Sequence, residues 1–375
     1  MLAKLTDVCD IQYGYAFDSA RFSETEGIPL VRIRDVVRGF SETCTTESFP
    51  EEYLVHDGDI LIGMDGEFNI ARWHGGTAAL NQRVCRLIPK RINSEYIFHF
   101  MPSALKAIEN KTPFVTVKHL SAKELNRIMV PIPVIDEQIR IGNTLNKVRG
   151  IIEARQRQLR SFDTLIKARF VEMFGDPETN PKGWEKKSLA EVITTANNGM
   201  ARRGNDENGN IVMRLVELQD GYIDYSNPNR IVLTEAEKKR YLLKNKDFLF
   251  ARVNGNPDNV GRCAVFYDIG EPVFHNDHII RVRFDGNVID GPFASALLNS
   301  EYGKRQLRNQ IKTSAGQYTV SQDGIGAIVT ILPPIEIQKQ FGAFIAQIDK
   351  SKVVVQAALD KAQLLFDSLM QQYFG

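Results

Sequence analysis

Two apolar seams stand out along this chain. Ile141, Leu145, Val148, Ile152, Leu159, Phe162 and Ile166 are spaced by three, four or seven positions, and so are Phe341, Ile345, Ile348, Val355, Leu359, Ala362, Phe366 and Leu369. That spacing is the stripe of a helix that packs on another helix. Arg155, Arg169 and Lys352 interrupt the seams. Their long stems can pass apolar neighbours to water or select the register of a helix pair. The first helix is predicted from about Asp136 to Gly175-Asp176-Pro177, where glycine and proline stop it. About 38 residues make it roughly 57 Å long. The second is predicted from about Glu336 to Phe374. Neither helix can bury its own stripe. The simplest closure is an antiparallel pair with a globular domain at each end and an approximate internal two-fold axis.

Ahead of each helix the pattern shortens to strands and turns. Leu5 and Val8 form an amphipathic turn, followed by a loop at Tyr13-Gly14-Tyr15. Strands are predicted at Ile28 to Ile33, Ile60 to Ile62, Val84 to Ile88 and Ile128 to Val130, with a helix at Tyr96 to Ile108. The second stretch repeats the plan. Trp184 to Val192 answers the opening turn, Asn197-Asn198-Gly199 the first glycine loop, and Met213-Arg214-Leu215 answers Val31-Arg32-Ile33. Lys246 to Phe250 answers Gly58 to Ile62, Asn276 answers Asn81, Thr319-Val320 answers Thr116-Val117, and Gln338 answers Gln138. Matches in the same order, each series ending in a seam of the same phase, point to a duplication. The expected fold class is α+β: two mixed α/β domains separated by two long antiparallel helices in a coiled coil. The expected boundaries are 1–134 and 176–334 for the domains, the latter including a linker at 176–183, with helices at 135–175 and 335–375.

Composition narrows the class only slightly. Lys and Arg number 47 and Asp and Glu 46, a formal charge of +1 that leaves room for a basic face offset by acids elsewhere. No run of eighteen apolar residues suggests a membrane span, and the first ten residues carry no signal-peptide core. Cys9, Cys44, Cys85 and Cys263 form no CxxC pair, and no histidine spacing suits zinc, so a reduced, cytoplasmic protein without a metal is expected.

Enzyme motifs are missing. The chain has no GxGxxG, P-loop, G-x-S-x-G or H-E-x-x-H string. Asn256-Pro257-Asp258-Asn259 lacks the second proline and the aromatic residue of an adenine methyltransferase pocket. The acidic group Asp57, Asp59, Asp65 and Glu67 suits turn capping. Basic and amide residues at loops are more informative. Arg32, Arg34 and Arg38 run across a predicted strand, with Arg32 and Arg34 on one face, and into its exit loop; Arg72 and Arg83 flank Gly75-Gly76. In the second stretch the candidates are Arg202, Arg203, Arg214, Arg252, Asn254, Asn256, Lys312, Gln317 and Tyr318. Such groups neutralise phosphates and make paired bonds to base edges, so DNA is the expected ligand. Two like scaffolds with different loops suit a split, asymmetric site.

The ordered strings resemble the DNA specificity subunit of Type I restriction-modification systems. They are GDILIG at Gly58 to Gly63, LNQRV at Leu80 to Val84, IPVIDEQIRI at Ile132 to Ile141, EMFGDP at Glu172 to Pro177, and the later KDFLFAR, HNDHIIR and LPPIEIQKQF. The resemblance spans nearly the whole chain. It implies two target recognition domains, each reading half of a bipartite site in double-stranded DNA, with the helices as a ruler. It also implies docking to modification subunits, two of them, and to restriction subunits. The partners would hold S-adenosylmethionine, ATP and Mg and methylate adenine or cleave, while this chain binds no cofactor and catalyses nothing. In the second copy, Ile337-Gln338 departs from Glu137-Gln138. Two rival readings remain open: a coiled-coil scaffold binding two proteins, and a free-standing DNA methyltransferase or nuclease.

Overall fold

The computed structural model describes residues 1–111, 118–314 and 316–375. The chain divides into two compact units. Unit 1 is Met1–Gln156 with Ala357–Gly375, and unit 2 is Arg157–Gln356. Two helices of 40 residues, Ile135–Phe174 and Ile335–Phe374, each contribute to both units.

Each unit is built on a four-stranded antiparallel sheet of the same order. In unit 1 it runs Cys9–Tyr13, Val84–Pro89, Ile60–Gly63, Ile70–Arg72. In unit 2 it runs Ile193–Asn198, Ile279–Phe284, Phe248–Ala251, Cys263–Val265. A short parallel pair stands beside each sheet: Val31 opposite Leu80 in unit 1, and Val212 opposite Phe274 in unit 2. A two-stranded ribbon closes each unit, Leu2–Lys4 on Met129–Pro131 and Glu185–Ser188 on Val329–Leu332. The central strands Ile60–Gly63 and Phe248–Ala251 are buried at every residue, which is why they read as continuous apolar runs rather than alternating ones.

The long helices pack antiparallel within each unit. In unit 1, Arg140 lies over the Tyr373 ring, and Val148 and Ile152 meet Ala362, Leu359 and Phe366. Phe366, Leu369, Met370, Tyr373 and Phe374 pack on the core that also holds Ile141 and Leu145. In unit 2, Asp163 pairs with Lys352 at 2.7 Å, and Phe170 and Phe174 pack edge-on against Phe341. Ile166 and Ile345 line the same core. Ile348 and Val355 are buried, whereas Leu159 and Phe162 are half-buried. Among the interruptions, Lys352 reaches Asp163, and Arg169 reaches Glu172 while covering the Phe344 ring.

A buried glutamine fastens each helix to its unit. Gln138 accepts from the Asn93 amide at 2.8 Å and donates to the Pro133 carbonyl at 2.9 Å. Gln338 accepts from the Asp290 amide at 2.9 Å and donates to the Pro333 carbonyl at 2.7 Å. Each side chain therefore pairs a backbone donor and a backbone acceptor that burial would otherwise leave unmatched.

Three sequence expectations need correction. The strand from Ile28 ends at Val31, and Ile33–Arg38 is a helix. Asp35 turns the chain: its carboxylate accepts the Arg32 amide at 3.0 Å, and Gly39 ends the helix in the left-handed conformation. Arg32 and Arg34 therefore share no strand face. The loop expected at Asn197-Asn198 is the end of a strand that runs to Asn198. Thr116-Val117 lies outside the described residues, and the place Val320 takes in unit 2 is taken in unit 1 by Leu120. The Leu120 amide donates to Met64 at 2.7 Å, and the Val320 amide to Arg252 at 2.9 Å.

Replacing Ile152 with Asp buries a carboxylate in the helix contact of unit 1. The expected cost is about 2–4 kcal/mol, read as a lowered midpoint in denaturant unfolding.

Candidate nucleic-acid interface

The same backbone lattice organises the loops at one end of each four-stranded sheet. In unit 1 the Asn81 side-chain oxygen accepts the Arg83 amide at 3.2 Å, and the Gln82 amide donates to Tyr15 at 2.9 Å. In unit 2 Asn276 accepts the His278 amide at 3.1 Å, and the Asp277 amide donates to Met200 at 2.9 Å. Both asparagines are buried. The neighbouring loop comes so close that a Cβ on Gly14 would lie 2.1 Å from the Asn81 carbonyl oxygen, and one on Gly199 2.2 Å from that of Asn276. Only glycine permits this approach. A second tie completes the lattice: the Met64 amide donates to Arg83 at 3.0 Å, and the Arg252 amide to His278 at 2.7 Å. With the Leu120 tie to Met64 and the Val320 tie to Arg252, loops from four parts of the sequence are fixed beside one another in each unit.

In unit 2 the lattice gathers several expected DNA-contact residues. Arg203 donates to Asp277 at 2.7 Å and to His278 Nε2 at 3.1 Å. Arg252 donates to the Asp277 carbonyl at 3.1 Å and has no carboxylate partner among the described residues. Asn254 pairs with Tyr318 on the strand Gln317–Thr319, the middle one of a three-stranded sheet whose far strand is Lys312–Ser314; Lys312 and Gln317 are exposed on it. The side chains of Asn254 and Asn256 bond the Asn256 and Asp258 amides at 2.9 and 3.0 Å, so both shape the turn. Arg202 stands further off, paired with Glu237 at 2.8 Å, and Arg214 pairs with Glu217 at 2.5 Å beside the parallel strands.

Unit 1 gathers fewer of them. Arg83 approaches Asp65 at 3.4 Å, and Asp65 also meets His119 Nδ1 at 2.5 Å. Arg72 lies elsewhere: it bonds Glu95 at 2.6 Å and the Gly58 carbonyl at 2.9 Å and stacks on Phe98, so it braces the sheet against a helix. Arg32 reaches Thr43 and Asp35, Arg34 approaches Asp35 at 3.6 Å, and Arg38 pairs with Glu42 at 3.6 Å. Asp57 accepts the Gly76 amide at 2.8 Å, as turn capping requires, and Asp59 pairs with Arg86 at 3.0 Å. The acidic group binds no metal-like set: among the described residues no three His, Cys, Asp or Glu side chains converge on one point. Sequence reasoning did not single out His119, Asp277 and His278 as contact residues, although the last two lie within the HNDHIIR string. His119 stands two residues before Ser121, whose hydroxyl caps a short helix by accepting the Glu124 amide at 3.3 Å.

Most candidate guanidiniums are thus already paired with a carboxylate. This explains how a chain with loops rich in arginine keeps a net charge near zero. His275, buried in the parallel pair, bonds the Tyr241 carbonyl at 3.1 Å. Burial, aided by the Arg281 charge, lowers its pKa to about 4.

The family described as Type I restriction modification DNA specificity domain matches residues 1–160 and 181–360. The chain is 27% identical to the Type I restriction enzyme EcoBI specificity subunit of Escherichia coli, over 99% of its own length and 84% of that protein. It is 29% identical to the StySPI specificity subunit of Salmonella potsdam, over 94% and 83%. The solved structure of a Type I restriction-modification S subunit from M. genitalium has the same fold, with a TM-score of 0.65 at 15% identity, covering 100% of this chain and 96% of that one. The chain belongs to the Type I restriction modification DNA specificity domain family.

Two outcomes follow. Gly199→Ala should push the loop off Asn276 and disorder the unit 2 loops while leaving its core folded, visible as faster amide exchange confined to residues near 199 and 277. The folded pKa of His275 lies below its unfolded value near 6.5, so its neutral form stabilises unit 2 fully above that pH. Stability should fall by about 1.4 kcal/mol per unit as pH drops from there towards 4, and His275→Gln should flatten the profile in pH-dependent unfolding.

Proposed function

We propose that this chain is the specificity subunit of a Type I restriction-modification assembly. Each unit reads one half of a bipartite, asymmetric site in double-stranded DNA. The observation that carries the reading is a duplicated loop lattice that bears different polar side chains in its two copies, within a chain matched by this family along nearly all its length. A common scaffold supplies a common way of meeting DNA, and its side chains supply different base preferences. In this reading the recognition domains are residues 1–134 and 176–334, and the long helices carry the spacing between half-sites.

The chemistry is binding. Arginine and lysine contacts to phosphates give affinity that weakens with salt, and side chains at base edges give selectivity. The chain makes and breaks no covalent bond. Two modification subunits would dock on it and flip the target adenine from the stack, using S-adenosylmethionine. Restriction subunits would add ATP- and Mg-dependent steps. Among the described residues no helix is long and apolar enough to cross a membrane, and the four cysteines are unpaired, which suits work in the cytoplasm.

Arg252 offers the most direct test, since no carboxylate among the described residues competes for it. In the chain assembled with its modification subunits, Arg252→Ala should relax base preference in one half-site only, by about 1–3 kcal/mol if the contact is to a base. Sequencing of methylated sites reads this directly. Equal loss at all sites would make Arg252 a phosphate contact, and a single contiguous motif in the unaltered protein would overturn the reading.

A further inference from the structure

The two lattices coincide atom for atom in their backbone bonds, so their side chains can be compared place by place. Met64 takes the place of Arg252, because each donates to the residue two beyond the buried asparagine and accepts from the residue before a helix-capping serine, Ser121 in unit 1 and Ser321 in unit 2. Arg83 therefore takes the place of His278, and Gln82 that of Asp277. In unit 2 a guanidinium, a carboxylate and an imidazole meet there through Arg203, Asp277 and His278. In unit 1 the same three chemical groups meet through Arg83, Asp65 and His119. Similar groups assembled from different positions on one lattice are hard to explain as packing, since Arg83 and His119 are each about half exposed, at 52% and 49%.

We propose that Asp65, Arg83 and His119 form the base-selecting cluster of unit 1, and that they read a guanine–cytosine pair through the major groove. This rests on the DNA-reading function above and names the residues and the base pair. Arg83 meets Asp65 through one terminal nitrogen, which leaves further N–H groups of its fork to face guanine O6 and N7. Asp65 is fixed by His119 on one oxygen and retains acceptor capacity for the cytosine amino group. A carboxylate at a DNA surface is repelled by phosphate, so it rejects sequences that offer it no amino donor. Its retention there favours selection over simple affinity.

The experiment is methylated-site sequencing with the full chain co-expressed with its modification subunits, comparing the unaltered protein, Asp65→Asn and Arg83→Lys. Arg252→Ala identifies the half-site of unit 2, which leaves the other to unit 1. The expected result is a G·C pair at one position of the unit 1 half-site, with preference there falling roughly ten- to hundredfold in each variant and the unit 2 half-site unchanged. Melting of each purified variant checks folding, and if Asp65→Asn unfolds, Arg83→Lys alone decides. An unchanged motif in a folded variant overturns the proposal, as does uniform loss at every position or the absence of a specified G·C pair. If the unaltered protein yields no bipartite motif, the specificity-subunit reading itself has failed.

Discussion

A long helix can hold a globular body in place only if its root cannot pivot. Gln138 and Gln338 remove that pivot. Each is almost wholly buried and binds both a backbone donor and a backbone acceptor from its own unit. A leucine of similar size would fill the space but orphan two backbone groups, each at a cost of about 1–3 kcal/mol. The amide therefore fixes where the helix leaves the domain as well as adding stability. The helix seams below it and the sheet above it inherit that geometry.

The sheet in turn positions the loops. Its strands Ile60–Gly63 and Phe248–Ala251 are buried throughout and carry no recognition chemistry themselves. Beside the sheet, each parallel strand runs into a buried asparagine, against which a glycine lets a second loop lie almost in contact. That packing leaves little freedom to the backbone, so a change of ligand preference must come from side chains. The ion pairs around the lattice serve the same end. A guanidinium held by a carboxylate is oriented before it meets a ligand, and less rotamer entropy is lost on binding. Arg252, bonded only to carbonyls among the described residues, is oriented without being neutralised.

Much of this was legible in the sequence, for physical reasons that can be named. The helix seams show because burial on one face imposes a period on every turn, from Ile141 to Ile166 and from Phe341 to Leu369. The central strands show because burial on both faces leaves apolar runs such as Ile60-Leu61-Ile62. Short elements were less legible. Ile33–Arg38 looks like the continuation of a strand until Asp35 is seen to capture the Arg32 amide, a choice made by one hydrogen bond. The arginines were harder still. Nothing local separates Arg72, which braces a helix through Glu95, from Arg83, which stands at the loop lattice beside Asp65. Their partners come from distant strands and loops, so their roles follow from topology rather than pattern.

Unit 1 is completed by Ala357–Gly375, a segment that leaves the ribosome only after all of unit 2 has been made. Until then the faces of Tyr96 and Phe100 that receive Phe374 stay open to water. The earlier-born unit is therefore the later one to close. During synthesis it depends on the whole of its sibling before its own core is sealed, and a chain interrupted anywhere in between leaves an apolar surface for chaperones and proteases to find.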